Sequence, residues 1–215
     1  IISLMLWSQV EDSKAAECQA LLLAILAGVN FTVAANDLVV LFLGLELVSI
    51  PTYVLLALPR RERESQEATI KYFLLSVFSS AIVLYGFALL YGATGTTHFA
   101  GIGTAISESH ARGISKLLPV AIALIIAGLS FRVTAVPFHF YAPDVFQGSP
   151  AFAAGMLSLL PKLVGFAALI RLLSVSVGGA SFNGHIELLG GMVKPLLSIL
   201  AALTMLVGNL MALRQ

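Results

Sequence analysis

The chain has 215 residues, of which 59% are hydrophobic and only 11% charged, and its formal net charge is +1. A soluble domain carries about 25% charged residues, so the composition indicates an integral membrane protein, and the small, scattered charge argues against a nucleic-acid partner. Cys18 is the only cysteine in the sequence, which excludes an intrachain disulfide and leaves too few thiols for an iron–sulfur cluster.

Six stretches are long and apolar enough to cross a bilayer, which takes about 20 residues as a helix. In chain order they lie at about Ala16 to Ala35, Leu38 to Leu58, Glu67 to Gly92, Leu117 to Val136, Ser149 to Leu173 and Gly191 to Leu213. Ile1 to Leu6 reads as the tail of an earlier span, and Thr94 to Lys116 as a long polar loop. The predicted fold class is an all-α membrane protein, a polytopic transmembrane helix bundle forming a single transmembrane domain over residues 1–215.

The stretch from Arg132 to Pro150 departs from the pattern of the other spans. Pro137, Pro143 and Pro150 lie within it, and proline ends or kinks a helix. Non-helical backbone at membrane depth is tolerated only where protein or a water-filled cavity surrounds it, as in the interrupted helices of transporters. The sequence therefore predicts a broken helix here, with a plain proline-rich loop between two spans as the alternative.

Four charged residues lie inside otherwise apolar stretches: Glu46, Lys71, Arg132 and Lys162. A charge at the centre of a spanning helix costs roughly 2.5 to 3.5 kcal/mol on insertion scales, so such residues usually face a partner or a wet cavity. This pattern indicates a protein that moves ions.

Glu46 and Lys162 are the deepest of the four. Glu46 lies about 12 Å into its span and Lys162 about 20 Å into its own, from the rise per residue of a helix. Burial disfavours the charged form of either group, so both are candidate proton sites. In each case a structural ion pair between helices is the competing interpretation.

Lys71, Arg132 and His139 carry weaker local signals. Glu67 stands four residues before Lys71, a spacing that gives a modest helix-surface salt bridge. Arg132 keeps its proton at any physiological pH, so it can shift the protonation of its neighbours but cannot itself release and rebind a proton. His139 titrates near neutrality and could pass protons, although a histidine beside prolines is as often a hydrogen-bonding group at a helix end.

Four segments carry a resemblance to a known family. Residues 44–53, 67–74, 137–150 and 161–162 read GLELVSIPTY, EATIKYFL, PFHFYAPDVFQGSP and PK. In wording, order and spacing they resemble the subunit N family of the proton-translocating NADH:quinone oxidoreductase, respiratory complex I.

The resemblance implies a fourteen-helix antiporter-like subunit built from two inverted repeats of five helices. This chain would hold the end of the third helix through the ninth, which is half of that fold. The residues matching Glu46 and Lys71 form a charge pair in the family, and the lysine matching Lys162 lies on a hydrophilic axis along the membrane.

Arg132 departs from the family pattern, which has a lysine before the Pro-Phe-His segment. Two hypotheses follow from this difference. Either Arg132 fixes the local field while Lys162 and bound water carry the proton, or the subunit pumps poorly.

The expected function is proton translocation by a membrane subunit of NADH:quinone oxidoreductase, through Glu46, Lys71, Arg132, His139 and Lys162. The chain is expected to hold no cofactor, with NADH, FMN, iron–sulfur clusters and quinone in partner subunits, and quinone contact with this chain left open. Other membrane and peripheral-arm subunits, lipid and protons are the expected partners, in a bacterial inner (plasma) membrane. The alternatives are a subunit of a multi-subunit sodium/proton antiporter and a non-conducting membrane scaffold.

Overall fold

The computed structural model describes residues 12–58, 63–109, 117–178 and 187–213. The helices of these ranges are α1 (Asp12–Ala34), α2 (Leu38–Ala57), α3 (Arg63–Thr94), α4 (Phe99–Ser109), α5 (Leu117–Val133), α6 (Ala142–Gly148), α7 (Ala151–Gly178) and α8 (Glu187–Leu213). The tail predicted at Ile1 to Leu6 lies outside the described residues.

Five of the described helices, α1, α2, α3, α7 and α8, are long and apolar enough to cross a membrane. The prediction of an all-α polytopic helix bundle is thereby confirmed. Helix α5, predicted as a span from Leu117 to Val136, has only 17 residues. Its length of about 26 Å falls short of the roughly 30 Å hydrocarbon core of a bilayer.

The region predicted as a loop from Thr94 to Lys116 contains the eleven-residue helix α4. The sequence predicts a loop there because the segment is polar and rich in Gly, Ser and His. One face of this helix nevertheless buries Phe99, Ile102 and Ile106 in the core of the bundle. Tertiary packing of an apolar face overrides weak helix propensity in such a segment.

Two pairs of antiparallel helices, α1 with α2 and α3 with α5, pack through glycines at their crossings. A Cβ on Gly28 of α1 would lie 2.8 Å from Val48 Cγ2 of α2, and one on Gly86 of α3 would lie 2.7 Å from Ile125 Cγ1 of α5. The backbones approach this closely because glycine has no side chain, which is the usual packing mode of membrane helices.

Helix α5 ends in a Schellman motif. The Thr134 N–H donates to the Phe131 carbonyl at 3.0 Å and the Ala135 N–H to the Ser130 carbonyl at 2.8 Å, which satisfies two carbonyls of the last turn. Thr134 occupies the left-handed position with φ 61°, a conformation that is unfavourable for a β-branched residue. Arg132 is thus fixed in the last turn of the helix, where a cation interacts favourably with the helix dipole.

The end of α5 lies near the middle of the bundle. Arg132 contacts Ser80, which is about 26 Å from the start of α3 at Arg63 and about 21 Å from its end at Thr94. Helix α6 then packs beside α3 nearer to its start, where Lys71 meets Asp144. Helix α5, residues 134–141 and α6 together therefore form one interrupted traverse, and the predicted broken helix is confirmed.

Hydrogen bonds join the α1–α2 turn to the α3–α4 turn outside the spans. Asp37 caps α2 by accepting the Val39 N–H at 2.7 Å, and its second oxygen accepts the Thr97 hydroxyl at 2.6 Å. The Leu38 N–H donates to the Thr97 carbonyl at 3.0 Å. The Thr97 hydroxyl stabilises the ionised carboxylate and lowers the pKa of Asp37 below its ordinary value.

Candidate functional site at the end of α5

A buried ion pair joins α5 to α2. Arg132 Nη2 lies 2.9 Å from Glu46 Oε1, and the side chains are 5% and 22% exposed, respectively. Glu46 stands eight residues after the start of α2 at Leu38, so the pair lies well inside the bundle. A buried charge pair is tolerated only if further hydrogen bonds satisfy its remaining polar atoms.

Neighbouring oxygens of α2 and α3 supply those hydrogen bonds. Arg132 Nη1 donates to the Leu45 carbonyl at 3.1 Å and also to the Ser49 hydroxyl. Arg132 Nη2 donates to Ser80 Oγ at 2.9 Å, and the Ser80 hydroxyl donates to Glu46 Oε1 at 2.6 Å. Among the described residues, Arg132 Nε has no hydrogen-bond partner. The guanidinium therefore ties α5 to both α2 and α3.

The charge pair that the resemblance implied between Glu46 and Lys71 is not formed, and this expectation is wrong. Glu46 lies beside Ser80, and Lys71 precedes Ser80 by nine residues on the same helix, which separates them by about 14 Å along its axis. Glu46 therefore takes Arg132 as its cation.

Lys71 instead bridges two carboxylates near the start of α3. Its Nζ lies 2.9 Å from Glu67 Oε1, the i−4 pair predicted from the sequence, and 2.8 Å from Asp144 Oδ2 of α6. The three side chains line a cavity of about 240 Å³ together with Ala68, Gln147 and Gly148. Lys71 is 44% exposed within the chain, so its charge is open to this cavity.

Lys162 differs from the other cations of the site. It follows Pro161 in the middle of α7, and no described carboxylate lies within ion-pair distance of it. Its Nζ lies 5.8 Å from the centroid of the Phe146 ring of α6, which is within cation–π range. Three residues further along, Gly165 packs against Val133 and Arg132, which brings Lys162 to the end of α5.

His139 lies in the non-helical part of the traverse, between α5 and α6. It lines a cavity of about 520 Å³ with Thr134, Ala142, Pro143, Phe146, Gln147 and Met211. Its Nδ1 is buried, and no described group hydrogen-bonds to it. The cavity contains polar groups and is large enough for several water molecules.

The structure thus divides the five predicted residues into three groups. Glu46 and Arg132 are in direct contact, Lys162 and His139 are both placed beside Phe146, and Lys71 stands apart with Glu67 and Asp144. Asp144, Ser49 and Ser80 were not identified as site residues from the sequence. Asp144 could have been, because it is the one acidic residue in the proline-rich segment.

Residues 35–215 match the model of the family described as NADH:quinone oxidoreductase/Mrp antiporter, transmembrane. The chain is 38% identical over 215 residues to NADH-quinone oxidoreductase subunit N of Rubrobacter xylanophilus, covering 100% of this chain and 42% of that protein. It is 42% identical over 200 residues to the subunit N of a Nocardioides species, covering 93% of this chain and 36% of that protein.

Two solved structures show the same fold. A chain of respiratory complex I from Thermus thermophilus with bound aureothin superposes with a TM-score of 0.76 at 32% identity, covering 100% of this chain and 43% of that one. A chain of the Mrp complex from a Dietzia species gives 0.63 at 28% identity, covering 73% of this chain and 29% of that one. The chain spans about two fifths of the length of the first of these relatives.

Proposed function

Because this chain belongs to the NADH:quinone oxidoreductase/Mrp antiporter transmembrane family, in its subunit N branch, we propose that it is a proton-translocating membrane subunit of an NADH:quinone oxidoreductase. Other subunits of that assembly, in a bacterial inner membrane, would oxidise NADH and reduce quinone. The similarity to subunit N over 100% of the chain supports the complex assignment.

One observation carries the translocation proposal: a neutralised buried ion pair lies beside an unneutralised lysine at mid-depth. Glu46 and Arg132 are paired at 2.9 Å, and Lys162 lies on the helix that packs against the same turn of α5. Lys162 can lose its proton without leaving a carboxylate unpaired, whereas Arg132 cannot lose one at all.

The proton would be held at Lys162 Nζ and exchanged with water in the cavity lined by His139. When the Glu46 carboxylate is neutralised by a proton, the Arg132 charge is no longer compensated, and its repulsion drives the proton from Lys162. Arg132 acts as the fixed charge beside these two groups, in line with the first of the two hypotheses above.

Proton uptake by membrane vesicles containing the assembled complex tests the proposal. Glu46→Gln removes the carboxylate that can accept a proton and keeps the size of the side chain. Pumping and coupled NADH oxidation should therefore fall together by about tenfold, a change in barrier of about 1.4 kcal/mol. Glu17→Gln, which alters a carboxylate in the first turns of α1, is the matched control. Wild-type pumping in an assembled Glu46→Gln complex would contradict the proposal.

Similarity to the Mrp complex chain favours, as second candidate, a subunit of a sodium/proton antiporter. The two functions differ in their dependence on electron transfer. Ion exchange that persists without NADH and quinone would favour the antiporter. A non-conducting scaffold instead predicts full pumping when Glu46 and Lys71 are neutralised together.

A further inference from the structure

Helix α6 is too short to hold its own position. It has seven residues, and isolated helices below about 12 residues are marginal. Its described anchors include the buried side chain of Val145, the ring of Phe146 packed against the core and the ion pair from Asp144 to Lys71 at 2.8 Å. Lys71 lies within the candidate span 65–94 of α3, and the side chains of Lys71 and Asp144 are 44% and 58% exposed within the chain.

A second contact runs parallel to this ion pair. Tyr72, the neighbour of Lys71 on α3, lies 5.8 Å from Tyr141 between ring centroids, and both rings are buried. Tyr141 stands three residues before Asp144. Lys71 and Tyr72 therefore bind two points of the same segment.

Tyr141 connects this segment to the end of α5. Its ring stacks on Phe131 with a centroid distance of 4.4 Å, and its hydroxyl donates to the Phe131 carbonyl at 3.1 Å. Phe131 directly precedes Arg132, and its carbonyl also accepts the Thr134 N–H of the helix cap. Tyr141 thus joins α6 to the turn that carries Arg132.

We propose that Asp144 is a positioning residue whose ion pair with Lys71 locks α6 against α3 and thereby holds Arg132 in place against Glu46. The charge on Lys71 is then coupled to the mid-depth pair through the protein, although the two are about 14 Å apart along α3. This inference rests on the proposed function, because it assigns a role in proton transfer. Glu67 also contacts Lys71 but lies on the same helix, so it cannot supply the lock.

The first test is a double-mutant cycle on proton pumping by the assembled complex. Asp144→Asn should lower pumping at least about fivefold, the lower end of typical coupling between sites, and Asp144→Glu should restore most of it. Lys71→Gln with Asp144→Asn should be no worse than either alone, because both break one interaction. Additive losses would overturn the proposal.

Glu67→Gln is the matched control, since it removes a carboxylate from the same lysine without touching α6. It should cost clearly less pumping than Asp144→Asn. Equal losses would mean that Asp144 serves only as a counter-charge for Lys71, and the lock would be refuted.

The second test does not depend on pumping. Spin labels at Gln66 of α3 and Gln147 of α6, both exposed positions, report the distance between these helices in the full complex. The distance distribution should widen in Asp144→Asn and stay narrow in Glu67→Gln. A narrow distribution in Asp144→Asn overturns the lock, whereas failure of the proposed function appears separately, as unimpaired pumping in Glu46→Gln.

Discussion

Arg132 makes contacts that a lysine cannot reproduce. Its two terminal nitrogens reach one carboxylate, two hydroxyls and a backbone carbonyl on two different helices. A lysine has a single nitrogen, without the planar fork that allows simultaneous contacts in fixed directions. The structure therefore favours the hypothesis that Arg132 fixes the local field over the hypothesis of a subunit that merely pumps poorly.

Arg132→Lys separates the two hypotheses. We expect proton uptake by vesicles to fall by about tenfold or more, since a hydrogen bond to a charged group contributes about 1.5 kcal/mol or more and at least one is lost. A rise in uptake would support the poorly pumping subunit. Unchanged uptake would count against both hypotheses.

Asp37 gives a prediction at a single residue outside the spans. Its pKa is lowered in the folded chain, so its carboxylate stabilises the fold above the unfolded pKa of about 3.9. This contribution is lost as the pH falls through the lower folded value. Asp37→Asn keeps a capping residue, since Asn and Asp cap helices equally well, but it removes the charge that strengthens the hydrogen bonds from Val39 and Thr97. It should therefore lower the stability near neutral pH by about 0.5 to 1.5 kcal/mol.

Thermal unfolding of the solubilised protein between pH 7 and pH 3 measures this effect. The difference between wild type and Asp37→Asn should shrink toward the acid end. A difference that grows on acidification would show that another group accounts for the pH dependence.

At the scale of helices, the crossing of α7 and α5 sets the distance between Lys162 and Arg132. A Cβ on Gly165 would lie 2.8 Å from Val133 Cγ2 and 3.4 Å from Arg132 Cβ. Gly165→Ala should therefore push the helices apart and cost about 1 to 3 kcal/mol, as overpacking does. The thermal unfolding temperature and the rate of proton uptake should both decrease.

Gly155 of the same helix provides the control. A Cβ there would meet no described atom within 4 Å. Gly155→Ala should stabilise α7 by about 0.5 to 1 kcal/mol through helix propensity alone. If Gly165→Ala proved as benign as Gly155→Ala, the crossing would not be as tight as the structure indicates.

The helices could be predicted because a span is a continuous apolar run, a property local in sequence. The early end of α5 could not, because it depends on Thr134 adopting a left-handed conformation, which is rare for its residue type. The partner of Glu46 could not be predicted either, since Arg132 lies 86 positions away. No rule based on local sequence relates Glu46 to Arg132 or to Lys71. Only the depth of each residue along its packed helix decides between these two cations.

At the scale of the whole molecule, the three carboxylates of the candidate site each have a cation or a hydrogen-bond donor. Glu46 binds Arg132 and Ser80, and both Glu67 and Asp144 bind Lys71. Within the described part of the chain, no group of three or more His, Cys, Asp or Glu side chains is placed to hold a metal ion. The ion pairs place a cation beside each of the three carboxylates.

Proton translocation should therefore be independent of sodium. A sodium ion is bound by several oxygen ligands, and the carboxylates of this site lie beside fixed or held cations that repel it. We expect proton uptake by vesicles of the assembled complex to be the same, within measurement error, in sodium, potassium or choline salts at one ionic strength. Arg132→Gln would remove the fixed repulsion at Glu46, so a sodium dependence that appears only in this variant would support the explanation. A sodium dependence of the wild type would instead favour the antiporter. It would mean that sodium binds at the native site in spite of the Arg132 charge beside Glu46.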